Sequence, residues 1–177
     1  VTIAALETGT AILDAGGTNR HFRVNGAETG VRSLRLNGTR LHNGVGAGGG
    51  AVSVEAAPPP SSPPYFAELY MTDVTVADCS SSSVGGALRV HGTGCMVRLV
   101  DCTISNSFTV SGSKGNGGGV SVSSSGGQTT LFMVRCTVLD CTSDNRGGGL
   151  IIQSEGEADL EDCVLTGNFA KSGAGVA

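Results

Sequence analysis

The sequence predicts an all-β fold in which short parallel strands coil and stack turn on turn. Three observations carry that expectation. Among 177 residues there are 29 glycines, no Trp, 4% aromatic and 15% charged side chains, with few runs of helix formers. No window keeps apolar residues at helical spacing; Val, Ile, Thr and Leu instead alternate in runs of about five, broken by Gly, Asn, Asp and Ser. The third observation is a three-part unit that recurs five times.

The unit begins with LRLNGTRLHNG at Leu34, LYMTDVTVADC at Leu69, VRLVDCTISNS at Val97, LFMVRCTVLDC at Leu131 and ADLEDCVLTGN at Ala158. A variable loop follows, then GGAVSV at Gly49, GGALRV at Gly85, GGGVSV at Gly117, GGGLII at Gly147 and GAGVA at Gly173. Alternate residues of a strand face opposite ways, so each part presents one inward row. In the first strand the row is Leu34 and Leu36, Leu69 and Met71, Val97 and Leu99, Leu131 and Met133, Ala158 and Leu160. In the second it is Thr39 and Leu41, Val74 and Val76, Cys102 and Ile104, Cys136 and Val138, Cys163 and Leu165. In the third it is Val52 and Val54, Leu88 and Val90, Val120 and Val122, Leu150 and Ile152, then Val176.

Three strands per turn with inward apolar rows describe a parallel β-helix of triangular section, about five to six turns tall and on the order of 25 Å high at ~4.8 Å per turn. The whole of 1–177 forms one such segment. Gly49, Gly50, Gly85, Gly86, Gly117, Gly118, Gly147, Gly148 and Gly173 mark the turn before the third strand, where positive φ or close backbone approach favours glycine. The loops before it, such as SSSSV at Ser80 and SFTVSGSK at Ser107, project from one corner. Although KGNGGGVSV is glycine-rich, it lacks the Lys-Ser/Thr pair and the helix of a phosphate loop, and its glycines recur in every unit.

The repeat also places the polar and cysteine residues. Cys102, Cys136 and Cys163 form one inward column of buried thiols, one per turn. Cys79 and Cys141 share a corner column two turns apart, beyond the roughly 7 Å reach of a disulfide; Cys95 has no partner in its column, which leaves one corner bridge to it as the open pairing. At the end of the second strand Asn43, Asp78, Asn106 and Asp140 form a corner ladder whose amides can bond from turn to turn.

The units DCTISNS at Asp101, RCTVLDC at Arg135 and DCVLTGN at Asp162, each with its glycine partner, resemble the right-handed parallel β-helix repeats of polymorphic outer-membrane proteins, autotransporter adhesins and pectate-lyase-like surface proteins. TAILDAGGTNRHFRV from Thr10 resembles the entry turn of such families. The resemblance implies a right-handed coil and an extracellular or cell-surface location, in families that serve as adhesins, lyases and tailspikes. The insertion AAPPPSSPPYF, residues 56–66, cannot join a ladder and is expected as a polyproline II loop. Through Pro58, Pro59, Pro60, Ser61, Ser62, Pro63 and Pro64 it resembles the glycosylated Ser-Pro segments of algal and plant wall glycoproteins. Asn37, in NGT, is an N-glycosylation acceptor at a bend in a eukaryotic secretory setting.

Catalysis on a β-helix needs clustered carboxylates on an outer face. Asp73, Asp101, Arg135 and Asp162 fall at one bend, a row with carboxylates about 5 Å apart that suits a calcium site or a glycosidase pair. The competing reading is that bends favour Asp and that the row is a surface charge ladder. His21, His42 and His91 are read as loop or surface residues, and Tyr65 and Tyr70 are the only tyrosines. No catalytic residue, metal site or cofactor is assigned. An ice- or surface-binding row of Thr75, Thr103 and Thr137 ends at Arg40 and Val164.

The net charge of −4 with no basic stripe argues against nucleic acid, no apolar run has membrane-span length, and VTIAALETGT is not a signal peptide. Neither end carries a capping helix, so the expected function is a structural or adhesive extracellular module. It would form part of a longer surface protein or stack head to tail, with β-helix segments, its own copies or glycans as partners. The alternative is a polysaccharide lyase acting on acidic glycans.

Overall fold

The structure, a computed structural model, describes residues 1–4, 11–26, 31–56, 66–110 and 115–177. Every strand pairing in it is parallel, and the strands stack as a β-solenoid of about five turns. Each full turn holds four strands, not the expected three.

The first sheet stacks Thr2–Ala4, Val31–Asn37, Phe66–Thr72, Cys95–Val100, Thr129–Val134 and Gly156–Glu161. The second stacks Ala11–Asp14, Thr39–His42, Thr75–Ala77, Thr103–Ser105, Thr137–Leu139 and Val164–Thr166. A third sheet occupies the expected loops: Val45–Gly48, Ser80–Val84, Phe108–Thr109, Thr142–Arg146 and Phe169–Ser172. The strands expected third form the fourth sheet: Phe22–Asn25, Val52–Ala56, Leu88–Gly92, Val120–Ser123 and Leu150–Gln153. The loops at Ser80 and Ser107 therefore contribute a ladder of their own. Their strands have no alternating apolar row because the facing core is nearly closed by backbone. A Cβ placed on Gly86 would lie 2.6 Å from the Phe108 nitrogen, at the start of the next turn's third-sheet strand.

The predicted inward rows are the core. Leu36, Leu69, Met71, Leu99, Leu131, Met133, Leu41, Ile104 and Val138 are fully buried, as are Val52, Val54, Val90, Val120 and Val122. At the last turn the same rows continue through Ile152, Ala158, Leu160, Cys163 and Leu165 but are only partly buried. Val176 is half-exposed and joined to Leu150 by a single bridge.

Three of the four corners turn on one left-handed residue each. Gly38, Asp73, Asp101, Arg135 and Asp162, with φ of 51–59°, bend the chain from first to second sheet. Asn43, Asp78, Asn106, Asp140 and Gly167, with φ of 50–64°, bend it from second to third. Gly49, Gly85, Gly117, Gly147 and Gly173, with φ of 60–68°, lead into the fourth. Gly, Asn and Asp tolerate this region best, which explains all but Arg135. The fourth corner absorbs changes in length: residues 93–94, 124–128 and 154–155 connect successive strands there. Ala56 and Phe66, the end residues of the proline-rich insertion, join ladders, contrary to expectation, because each continues the alternation of its strand. Ala56 ends one strand and Phe66 begins the next, while the glycosylation candidates Pro58, Pro59, Pro60, Ser61, Ser62, Pro63 and Pro64 lie outside the described residues.

Candidate functional site: the corner columns

A left-handed bend leaves the residue after it facing the core. After the first corner these are Thr39, Val74, Cys102, Cys136 and Cys163; after the second, Gly44, Cys79, Ser107, Cys141 and Asn168. Five of the six cysteines occupy such places, and each thiol donates to the carbonyl two residues back. The acceptors are Ala77 for Cys79 (3.2 Å), Val100 for Cys102 (3.2 Å), Val134 for Cys136 (3.3 Å), Leu139 for Cys141 (3.4 Å) and Glu161 for Cys163 (3.3 Å). The Ser107 hydroxyl makes the same bond to Ser105 at 3.0 Å. These side chains close the bend behind them, satisfying a backbone acceptor at the edge of the core. Asn168 instead bonds to the turn before it: its Oδ1 accepts from the Cys141 nitrogen at 3.0 Å and its Nδ2 donates to the Val138 carbonyl at 2.9 Å.

All six cysteines are free thiols, so no bridge reaches Cys95. Cys95 sits at the start of a first-sheet strand and donates to the His91 carbonyl at 3.3 Å, on the other side of the turn from Cys79 and Cys141. Burial pushes the thiols of Cys79, Cys95 and Cys141 up to about 11, and contact with Cys136 together with burial raises Cys102. These four buried, protonated thiols are poor nucleophiles, whereas the same contact with Cys102 lowers Cys136 to about 7.

The residues of the expected ladder, Asn43, Asp78, Asn106 and Asp140, do form a column, but backbone carries it. Each nitrogen donates to the next turn: Asn43 to Ala77, Asp78 to Ser105, Asn106 to Leu139 and Asp140 to Thr166, at 3.1–3.3 Å. Their side chains take separate partners. Asn43 donates to Asp14 at 3.1 Å, and His42 contacts Asp78 at 3.0 Å. The physical reason for the column is the left-handed bend, which Asn and Asp fill more readily than other side chains.

The carboxylate row at the first corner is also present, with its members held apart in role. Arg135 spans Asp101 with two parallel bonds, Nε to Oδ1 at 2.7 Å and Nη2 to Oδ2 at 2.8 Å. That fork holds the Asp101 carboxyl below its ordinary range and raises the guanidinium. Among the described residues no three His, Cys, Asp or Glu side chains converge as a metal site requires.

Two of the histidines differ from expectation. The half-buried His21 places Nε2 2.7 Å from the Leu13 carbonyl, and His91 places Nδ1 2.9 Å from the Ser123 hydroxyl. Burial lowers the pKa of both, with Arg89 adding to the effect at His91. Asn37 is exposed at the end of its strand, while Thr39 of the same NGT is fully buried with an unpartnered hydroxyl. The threonine row is in register as Arg40, Thr75, Thr103, Thr137 and Val164.

One surface escaped sequence reasoning. The first sheet's outward column runs Arg35, Tyr70, Arg98, Phe132 and Asp159. The Arg35 guanidinium lies 4.0 Å from the centre of the Tyr70 ring, and the Tyr70 hydroxyl donates to Glu68. Beside this column a hollow of about 470 Å³ is lined in part by Phe66, Met96, Gln128 and Phe132. The signal for it was the register, since Phe66, Met96 and Phe132 are outward in their units.

No family model, curated protein or solved structure matches the chain.

Proposed function

We propose that the chain is a structural or adhesive module of an extracellular or cell-surface protein of the parallel β-helix kind. The observation that supports this most is the use made of its chemistry-bearing side chains: thiols cap bends, Asn and Asp form bends, and Arg135 occupies Asp101 with two hydrogen bonds. Contact groups then remain on the outer face of the first sheet, where arginine alternates with aromatic rings. Tyr, Phe, Met and Arg are side chains that interfaces favour. In this reading the partners are glycans or other surface ligands on the outer face. Further β-helix turns, from a longer protein or another copy, would lie against the partly buried inward row of the last turn. The extracellular assignment rests on the resemblance of the repeats and on the exposed Asn37 acceptor.

Turnover tests this reading against the lyase alternative. Incubation with pectin-type acidic polysaccharides is expected to release no unsaturated sugar. Release that disappears in Asp101→Asn, with the melting curve unchanged, would replace the structural reading by the lyase one.

A further inference from the structure

A cluster outside the corner columns lies where the third and fourth sheets meet. Arg23, Ser53 and Arg89 share one outward column of the fourth sheet, and Glu55 stands in the neighbouring column. Glu55 Oε1 accepts from Arg89 Nη1 at 2.9 Å and from the Ser53 hydroxyl at 2.6 Å; Oε2 accepts from Arg23 Nε at 3.1 Å and from Arg23 Nη2. A carboxylate offers about four acceptor positions, so Glu55 is saturated. Burial would raise its carboxyl, but Ser53 and the two arginines outweigh it and hold it below its ordinary range.

A third guanidinium has no share in that carboxylate. Arg20 donates Nη1 to the Gly48 carbonyl at 2.8 Å and lies against Gly46, where a Cβ would come within 3.2 Å of its Nη2. Arg89 lies against Gly48, where a Cβ would come within 2.7 Å of its Cδ. Burial lowers the Arg20 pKa, and Arg23 and Arg89 lower it further against the opposing pull of Glu55. The Arg89 Nε is buried with no hydrogen-bond partner. Three positive charges thus face one saturated carboxylate, and Gly46 and Gly48, lacking side chains, let Arg20 and Arg89 lie close over the third sheet. Guanidinium forks match tetrahedral and planar oxyanions.

We propose that Arg20, Arg23 and Arg89 form an oxyanion site that takes a sulfate or phosphate group, either as the free ion or as an ester on a larger ligand. The inference is independent of the adhesive reading, because it concerns a different sheet and needs no partner turn.

Calorimetric titration of the full chain with inorganic sulfate and with phosphate, at ionic strength fixed by chloride, tests it. Saturable binding at one site is expected, weakened about tenfold in Arg20→Gln and only in part restored in Arg20→Lys, which keeps the charge but not the fork. Melting curves of both variants establish that the fold is kept. Dextran sulfate and plain dextran separate the two sources. Tighter binding per sulfate on the polymer identifies an ester-bearing ligand, and equal binding identifies the free ion. Absence of saturable binding above the chloride background, or equal affinity in Arg20→Gln and the unaltered chain, would overturn the proposal.

Discussion

At the residue scale the fold depends on single left-handed positions and on the residue after each. Asp73, Asp101, Asp162, Asn43, Asp78, Asn106 and Asp140 bend the chain where glycine would otherwise stand. The next side chain faces in, and at five cysteines and Ser107 a thiol or hydroxyl there closes the bend. Cysteine and serine should therefore be interchangeable at these places. Cys141→Ser is expected to cost less than about 1 kcal/mol, as Ser107 already does the same work one turn earlier, whereas Cys141→Leu should cost about 1–3 kcal/mol through overpacking. Chemical denaturation of the two variants checks this. Histidine sets a pH dependence of defined sign. The folded pKa values of His21 and His91 lie below the ordinary 6.5, so the stability tied to their neutral forms is complete above about pH 6.5 and is lost as pH falls through the folded values. Melting temperature should fall between pH 7 and pH 5, and less steeply in a His21→Gln/His91→Gln variant. The sequence displayed the bend residues but not their shared cause, because an Asp at a bend reads equally as a ligand. Arg135 was the least legible, since no propensity favours Arg at positive φ.

At the element scale the three apolar strands of each unit were readable from alternation, and the third-sheet strands were not. VGAG, SSSSV, FT, TSDNR and FAKS have no common inward apolar row, because the opposing backbone leaves no room for one. What the sequence showed there was glycine, and the structure gives its reason. A Cβ at Gly86 would meet the Gly118 carbonyl oxygen at 2.0 Å and the Phe108 nitrogen at 2.6 Å, both backbone atoms that cannot move without breaking two ladders. Gly16 adopts φ of 63°, and a methyl group added there would meet nothing within 4 Å. Gly86→Ala is accordingly expected to lose at least about 3 kcal/mol, and Gly16→Ala about 1–2 kcal/mol from backbone strain alone. Equal losses by denaturant titration would show that the close approach of third-sheet and glycine backbones is not what fixes these positions. The charged cluster around Glu55 was invisible in sequence for a related reason. Its members stand 32 and 34 residues apart and meet only once the register of the fourth sheet is set.

At the scale of the whole molecule, stability comes from stacking: no turn buries its own apolar face, and each inward row is covered by the turns on either side. The fully buried rows of the middle turns and the partly buried Ile152, Ala158, Leu160 and Leu165 of the last turn express the same rule. A module of this kind holds an outer surface at fixed spacing, and its reach grows by adding turns. Its central test is particle length measured by electron microscopy across a concentration series, for the unaltered chain and for Leu160→Lys. Particles that lengthen along one axis as concentration rises are expected, with a shift to short particles in Leu160→Lys while circular dichroism still shows β-structure. Short particles of one size at every concentration, unchanged by Leu160→Lys, would contradict the end-to-end stacking of copies.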